Sequence, residues 1–147
     1  MPKKATAEDA SIIMKLYDLR RESELRKARA WFGALWPNNA DDVVKVLQAF
    51  GSQENAWLRQ VSGYWEMAAS LVLRGALNED LFYDNCGELW FTLSKVYPFL
   101  KEIREKMQAP YYLMHSEKLA TRTKAGRDRL QMMLKRAESR RAAAKAA

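Results

Sequence analysis

The sequence predicts an all-α protein: an irregular bundle of about five helices, with a long N-terminal helix and a basic helical tail at the C-terminal end. Three observations carry this. Only six Gly and four Pro punctuate 147 residues. Between them, apolar residues recur at steps of three and four, the spacing of one helix face. No segment alternates apolar and polar residues for long enough to argue a strand.

The first helix is expected from about Ala7 to Trp36. Thr6 with Asp9 three residues on resembles a capping box, with Asp in place of Glu or Gln. Ile12, Leu16 and Leu19 share one side, whereas Ala28, Trp31, Phe32 and Leu35 fall nearly opposite. The switch lies in the polar run "RRESE", Arg20–Glu24, so either the helix bends there or its halves face different neighbours, one of which could be a second copy of the chain. Pro37 ends this element, and Asn38 or Asn39 caps a short second helix, Ala40–Phe50, with Gly51 suited to its C-terminal cap. A third helix runs from about Gln53 to Arg74 and stops at Gly75. Its wheel puts Trp57, Val61, Tyr64, Trp65, Ala68 and Val72 on the core face.

Asn78 is the expected N-cap of a fourth helix, with Glu79 and Asp80 complementing its dipole. Phe82, Cys86, Leu89, Leu93, Val96, Leu100, Ile103 and Met107 form one stripe that continues past Pro98, which predicts a bend inside a nearly continuous element. Pro110 suits the first turn of the next helix, whose apolar part is "YYLMHSEKLA". Gly126 marks a break. The remainder has a narrow stripe, Leu130, Met133, Leu134 and Ala137, and is otherwise basic or alanine, which predicts a partly docked, partly disordered helix. The expected organisation is a bundle over residues 1–122 and a basic tail over 123–147, with a core led by Trp57, Tyr64, Trp65, Phe82, Leu89, Leu93 and Val96.

The net charge of +7 is uneven. Residues 1–114 carry 15 basic and 15 acidic residues, and residues 115–147 carry 10 basic and 3 acidic. The tail therefore offers Arg122, Lys124, Arg127, Arg129, Lys135, Arg136, Arg140 and Arg141 as phosphate-binding candidates, with salt-dependent affinity and little sequence choice. It has no aromatic residue on which a base could stack. The single cysteine permits no intrachain disulfide. "MPKKATAEDA" has no apolar run behind its lysines, so no signal peptide is predicted. No apolar stretch approaches the ~18 residues of a membrane span. A cytoplasmic protein is expected.

Chemistry-bearing patterns are few. One His and one Cys cannot build a Cys/His zinc site or a di-iron bundle, so neither metal nor cofactor is predicted. Phosphate-binding glycine loops are absent. Cys86 lies in the apolar stripe and reads as a small buried thiol. His115 reads as a surface or interhelical hydrogen-bonding residue. Glu66 falls opposite the core face with Arg59, Ser62, Ser70 and Arg74, in a solvated polar stripe. Gly63 lies near this face and would let a neighbour approach and bury the carboxylate against Arg59. Arg59, Glu66 and Glu88 are thus a candidate polar cluster, and an enzymatic pocket if Glu66 is buried. On the back of the fourth helix, Tyr83, Gly87 and Phe91 form a second face, either internal packing or a subunit contact.

Four segments, "IMKLYDLRRESELRKARAWF", "VSGYWEMAASLVLRGALNEDLF", "GELWFTLSKVYPFLKEIREKM" and "APYYLMHSEKLA", together resemble a group of small bacterial helical proteins of unassigned function. The resemblance covers roughly Ile12 to Ala120. It implies an all-helical, non-secreted domain and carries no catalytic residues with it. The leading expectation is a non-enzymatic scaffold or protein-interaction module that self-associates as a homo-oligomer. The alternative is a nucleic-acid-associated accessory protein that binds phosphates through its tail.

Overall fold

The computed structural model describes residues 3–147, and among these every regular element is helical. The elements are α1 (Ala7–Leu19), α2 (Ser23–Ala34), α3 (Ala40–Gln48), α4 (Gln53–Leu73), α5 (Glu79–Asn85), α6 (Glu88–Val96), a 3-10 turn (Tyr97–Phe99), α7 (Leu100–Met107), α8 (Met114–Thr121) and α9 (Lys124–Ala146). The helices exceed the expected five because two long elements are divided. The expected 7–36 helix stops at Leu19. Its polar run does not merely bend: Glu22 turns its carboxylate onto the amides of Glu24 and Leu25 and starts α2 afresh. The two halves meet different neighbours within one chain, α1 against α5 and α2 against α4. The fourth helix breaks at Cys86–Gly87 and again at the 3-10 turn holding Pro98.

Local capping follows the residue types. Thr6 and Asp9 complete the reciprocal box at the start of α1. Asp9 also accepts from the backbone amide of Asn78 at 2.8 Å, tying α1 to the α4–α5 connection. Those backbone hydrogen bonds hold its carboxyl below the usual range. Asn39, Ser52 and Asn78 cap α3, α4 and α5. Gly51 and Gly75 take positive φ of 85° and 77°, the left-handed backbone that favours glycine. Pro110 departs from expectation: it lies in a turn, and α8 begins only after Leu113, itself left-handed at φ 55°.

Helix α4 is the central element, packed against α2, α3 and α8. Trp65, Phe82 and Trp90 form a row through the core, the first pair edge-to-face and the second tilted, with centroids 6.4 and 6.3 Å apart. Leu89, Leu93 and Val96 are buried as the stripe predicted. Trp57 and Tyr64 are only half-buried. The buried face of α4 is turned slightly, to Leu58, Val61, Ser62, Trp65, Ala68, Ala69 and Val72. Trp57 packs on Trp31 at 6.1 Å, and the Tyr64 hydroxyl donates to the Leu16 carbonyl. Cys86 is buried, and burial pushes its thiol up to about 11.

The C-terminal segment keeps the expected docking stripe and departs from expectation at Gly126. Helix α9 runs unbroken for 23 residues and packs on α6 and α8. Gly126 is no break. It sits in the first turn, where Thr123 caps its amide at 3.0 Å. Its carbonyl accepts from the Trp90 indole at 3.1 Å. Leu130 and Ala137 are buried, and Arg141 donates to the carbonyls of Pro37 and Lys95. The narrow stripe docks on α6 and α8, where the Trp90 ring lies under Arg129. No helix among the described residues is long and apolar enough to cross a membrane.

Candidate functional site

The expected cluster of Arg59, Glu66 and Glu88 does not form. Arg59 is exposed and makes no hydrogen bond or ion pair. Gly63 is not a close-approach point, since a side-chain carbon there would meet nothing within 4 Å. Glu66 instead reaches across to α8. One oxygen accepts from the His115 amide and lies 2.8 Å from His115 Nδ1. The other accepts from the Ser116 amide and hydroxyl at 3.0 and 2.8 Å. Because Leu113 enters α8 in a left-handed conformation and supplies no side-chain cap, the free amides of that helix end need an acceptor. Glu66 is that acceptor, and its charge suits the helix N-terminus.

A serine, a histidine and a carboxylate therefore meet here, but not as a relay. Ser116 and His115 bind the same carboxylate and not each other, so the imidazole does not face the hydroxyl as a relay would require. The arrangement is a cap. Glu66→Gln is expected to lower stability by about 0.5–1 kcal/mol and Glu66→Ala by about 1–2 kcal/mol, because amides at a partly buried helix end lose their acceptor. Urea unfolding checks this, and an unchanged midpoint for both variants would remove the capping role.

Glu88 belongs to a different cluster. It takes a two-pronged contact from Arg29, with Nε at 2.9 Å and Nη2 at 2.7 Å, and a further ion pair from Arg20. Burial pushes its carboxyl up, but the Arg29 hydrogen bonds and the two guanidinium charges outweigh this and hold it below the usual range. The pair pins the α1–α2 corner to α6. Four arginines and Tyr17 line a concavity of about 380 Å³ at this corner, formed by Arg20, Arg21, Arg26 and Arg29.

That concavity adjoins two others. Arg29 is shared with a cavity of about 390 Å³ lined also by Gly87, Glu88, Phe91 and Met133. Phe91 and Met133 are shared in turn with a cavity of about 480 Å³ that includes Gly33, Trp36, Ser94, Arg136 and Arg140. Together they make a groove along one edge of α2, with α6 as floor and α9 as far wall. Arg26, Arg29 and Gly33 stand at steps of three and four, so one face of α2 lines it. Its lining holds six arginines and one acidic residue, Glu88.

Lys95 supports the floor. It is fully buried, and its Nζ donates to the carbonyls of Phe32, Gly33 and Leu35, the open end of α2. The ammonium lies 3.8 Å from the Trp36 ring centroid and 4.9 Å from those of Phe32 and Phe91. No carboxylate pairs with it. Burial, then the nearby Arg141 charge, brings its pKa down to about 7.

The second face of the fourth helix is covered in part. Tyr83 is covered by α9: its hydroxyl bonds Thr123 at 2.8 Å, and its ring lies under Arg129. Gly87 and Phe91 line the groove. The eight basic candidates of the C-terminal segment also divide. Arg122 pairs with Glu79 and Lys124 with Asp128. Arg127, Arg129 and Arg141 donate to backbone carbonyls. Lys135, Arg136 and Arg140 stay exposed without a protein partner, and the last two edge the groove. The sequence missed Arg20, Arg21, Arg26, Arg29 and Lys95. A signal existed for Lys95, which continues the Tyr83–Gly87–Phe91 series one turn on.

Among the described residues, no three His, Cys, Asp or Glu side chains come together as metal ligands would. A family model described as a domain of unknown function (DUF4760) matches residues 5–123, spanning the segments that carry the resemblance. No curated protein and no solved structure matches the chain.

Proposed function

We propose that the chain, which belongs to the DUF4760 family, is a non-enzymatic interaction module that holds an anionic partner in the groove between α2, α6 and α9. The observation behind this reading is the charge of the groove. Six arginines against one glutamate line it, although the chain to residue 114 is neutral overall. Arg21, Arg26, Arg136 and Arg140 are exposed and have no protein partner, so their donors are available without breaking the fold. Planar guanidinium groups suit phosphate and carboxylate oxygens. A concave site with one sign of charge also concentrates counter-charged ligands. Of the two features that suggested self-association, Tyr83 of the aromatic face is covered by α9, and the two halves of the first helix meet different neighbours within the chain.

The test is titration of fluorescent inorganic polyphosphate into the full chain at several salt concentrations. The comparison is the triple variant Arg26→Ala/Arg136→Ala/Arg140→Ala. Binding should weaken with salt, and the log–log slope should be shallower for the variant, which releases fewer counterions. Equal affinity and slope for the two proteins would discard the groove as the binding surface.

A further inference from the structure

We infer that the anionic partner is a single-stranded nucleic acid, whose phosphates pair with the arginines and whose bases lie on the aromatic floor. This rests on the groove reading above and adds the class of ligand. Charge alone would fit any polyanion, but the groove also carries an aromatic residue in each of its three parts: Tyr17, Phe91 and Trp36. Each is partly open to solvent. Arg20 lies over Tyr17 and the buried Lys95 lies against Trp36 and Phe91, while the exposed Arg21, Arg26, Arg136 and Arg140 on the same linings are the cations open to phosphate. Alternating cations and ring faces hold an unpaired strand, because every base has a face to stack and every phosphate a charge to pair. A duplex hides its base faces and gains nothing from the rings. An acidic peptide matches the arginines but makes no use of the floor. Two glycines keep the floor accessible: at Gly33 and Gly87 an added side-chain carbon would meet nothing within 4 Å.

Those glycines supply a fold-safe test. Gly33→Leu and Gly87→Leu place bulk over the floor and leave every charge in place. In α2, leucine is also the better helix former, so melting temperature should hold or rise. Anisotropy of labelled oligothymidylate would be measured with the full chain and each variant. Matched probes would be an abasic phosphodiester of equal length, the corresponding duplex, polyglutamate and inorganic polyphosphate. The expected result is oligothymidylate binding about tenfold or more tighter than the abasic chain. That margin should vanish in the leucine variants, while their polyphosphate binding persists. Equal affinity for oligothymidylate, abasic chain and polyphosphate would overturn the nucleic-acid assignment and leave the anionic groove standing. Preference for duplex or polyglutamate would overturn it likewise. Failure of every probe would overturn both.

Discussion

Replacing Lys95 with alanine is expected to destabilise the protein by about 3–5 kcal/mol. The change removes a long buried stem and orphans the carbonyls of Gly33 and Leu35 at the end of α2, while that of Phe32 keeps the Leu35 amide. Lys95→Met keeps most of the volume and relieves a buried charge, so its loss should be smaller, about 1–2 kcal/mol at neutral pH. The two effects separate by pH. The folded-state pKa lies near 7, below the unfolded value of about 10.4. Between these values the unfolded chain holds a proton that the folded chain releases, so stability rises with pH across that window. Below about 7 the burial penalty is present in full, and above about 10.4 it is gone. The gap between wild type and Lys95→Met should therefore widen from pH 7 towards 10. Urea unfolding of both proteins across that range measures it. A constant gap would mean that the lysine does not titrate within the fold.

Gly126→Ala is expected to cost at least about 2–3 kcal/mol, although glycine to alanine in an exposed helix normally gains stability. The added carbon would lie 2.6 Å from the Ala120 carbonyl, which is backbone, and would also strike the Tyr83 hydroxyl. The first turn of α9 would lift, and the Trp90 indole would lose its acceptor at Gly126. At roughly 3 °C per kcal/mol for a chain of this size, the melting temperature should fall by about 6–9 °C. Cleavage near residues 122–127 by a dilute protease should quicken. Gly63→Ala is the control, for its carbon meets nothing within 4 Å and the residue is exposed. It should be neutral or mildly stabilising. Similar behaviour of the two variants would contradict the close docking of α9.

What the sequence made legible was local. Thr6 with Asp9, and Asn78 before Glu79 and Asp80, cap helices through neighbours three residues away, so the pattern sufficed. The apolar stripe from Phe82 to Met107 gave the core side of α5 to α7, although the helix count did not follow, because Glu22 and the Cys86–Gly87 turn restart helices that propensity alone would continue. The candidate site was largely hidden. Glu66 binds residues about fifty positions away, at a helix start set by the left-handed Leu113, and no spacing announces such a partner. Glu88 was singled out but matched with Arg59, because a wheel orders one helix and says nothing of the corner that brings Arg20 and Arg29 to it. The charge count misled for the same reason. A neutral sum over residues 1–114 concealed four arginines gathered at the α1–α2 corner.

The place where α9 joins the bundle has a consequence for how such a groove can change. The family match ends at residue 123, and α9 begins at Lys124. The floor and one wall are thus written in the shared part of the chain, and the opposite wall in the segment that follows. Arg136 and Arg140 belong to that second wall. A chain that kept the bundle and the docking stripe Leu130–Ala137 could exchange these two side chains freely, since neither holds the fold together. Ligand preference would then be set like an interchangeable jaw against a fixed anvil, retuned by a handful of substitutions in one helix while the core stays as it is.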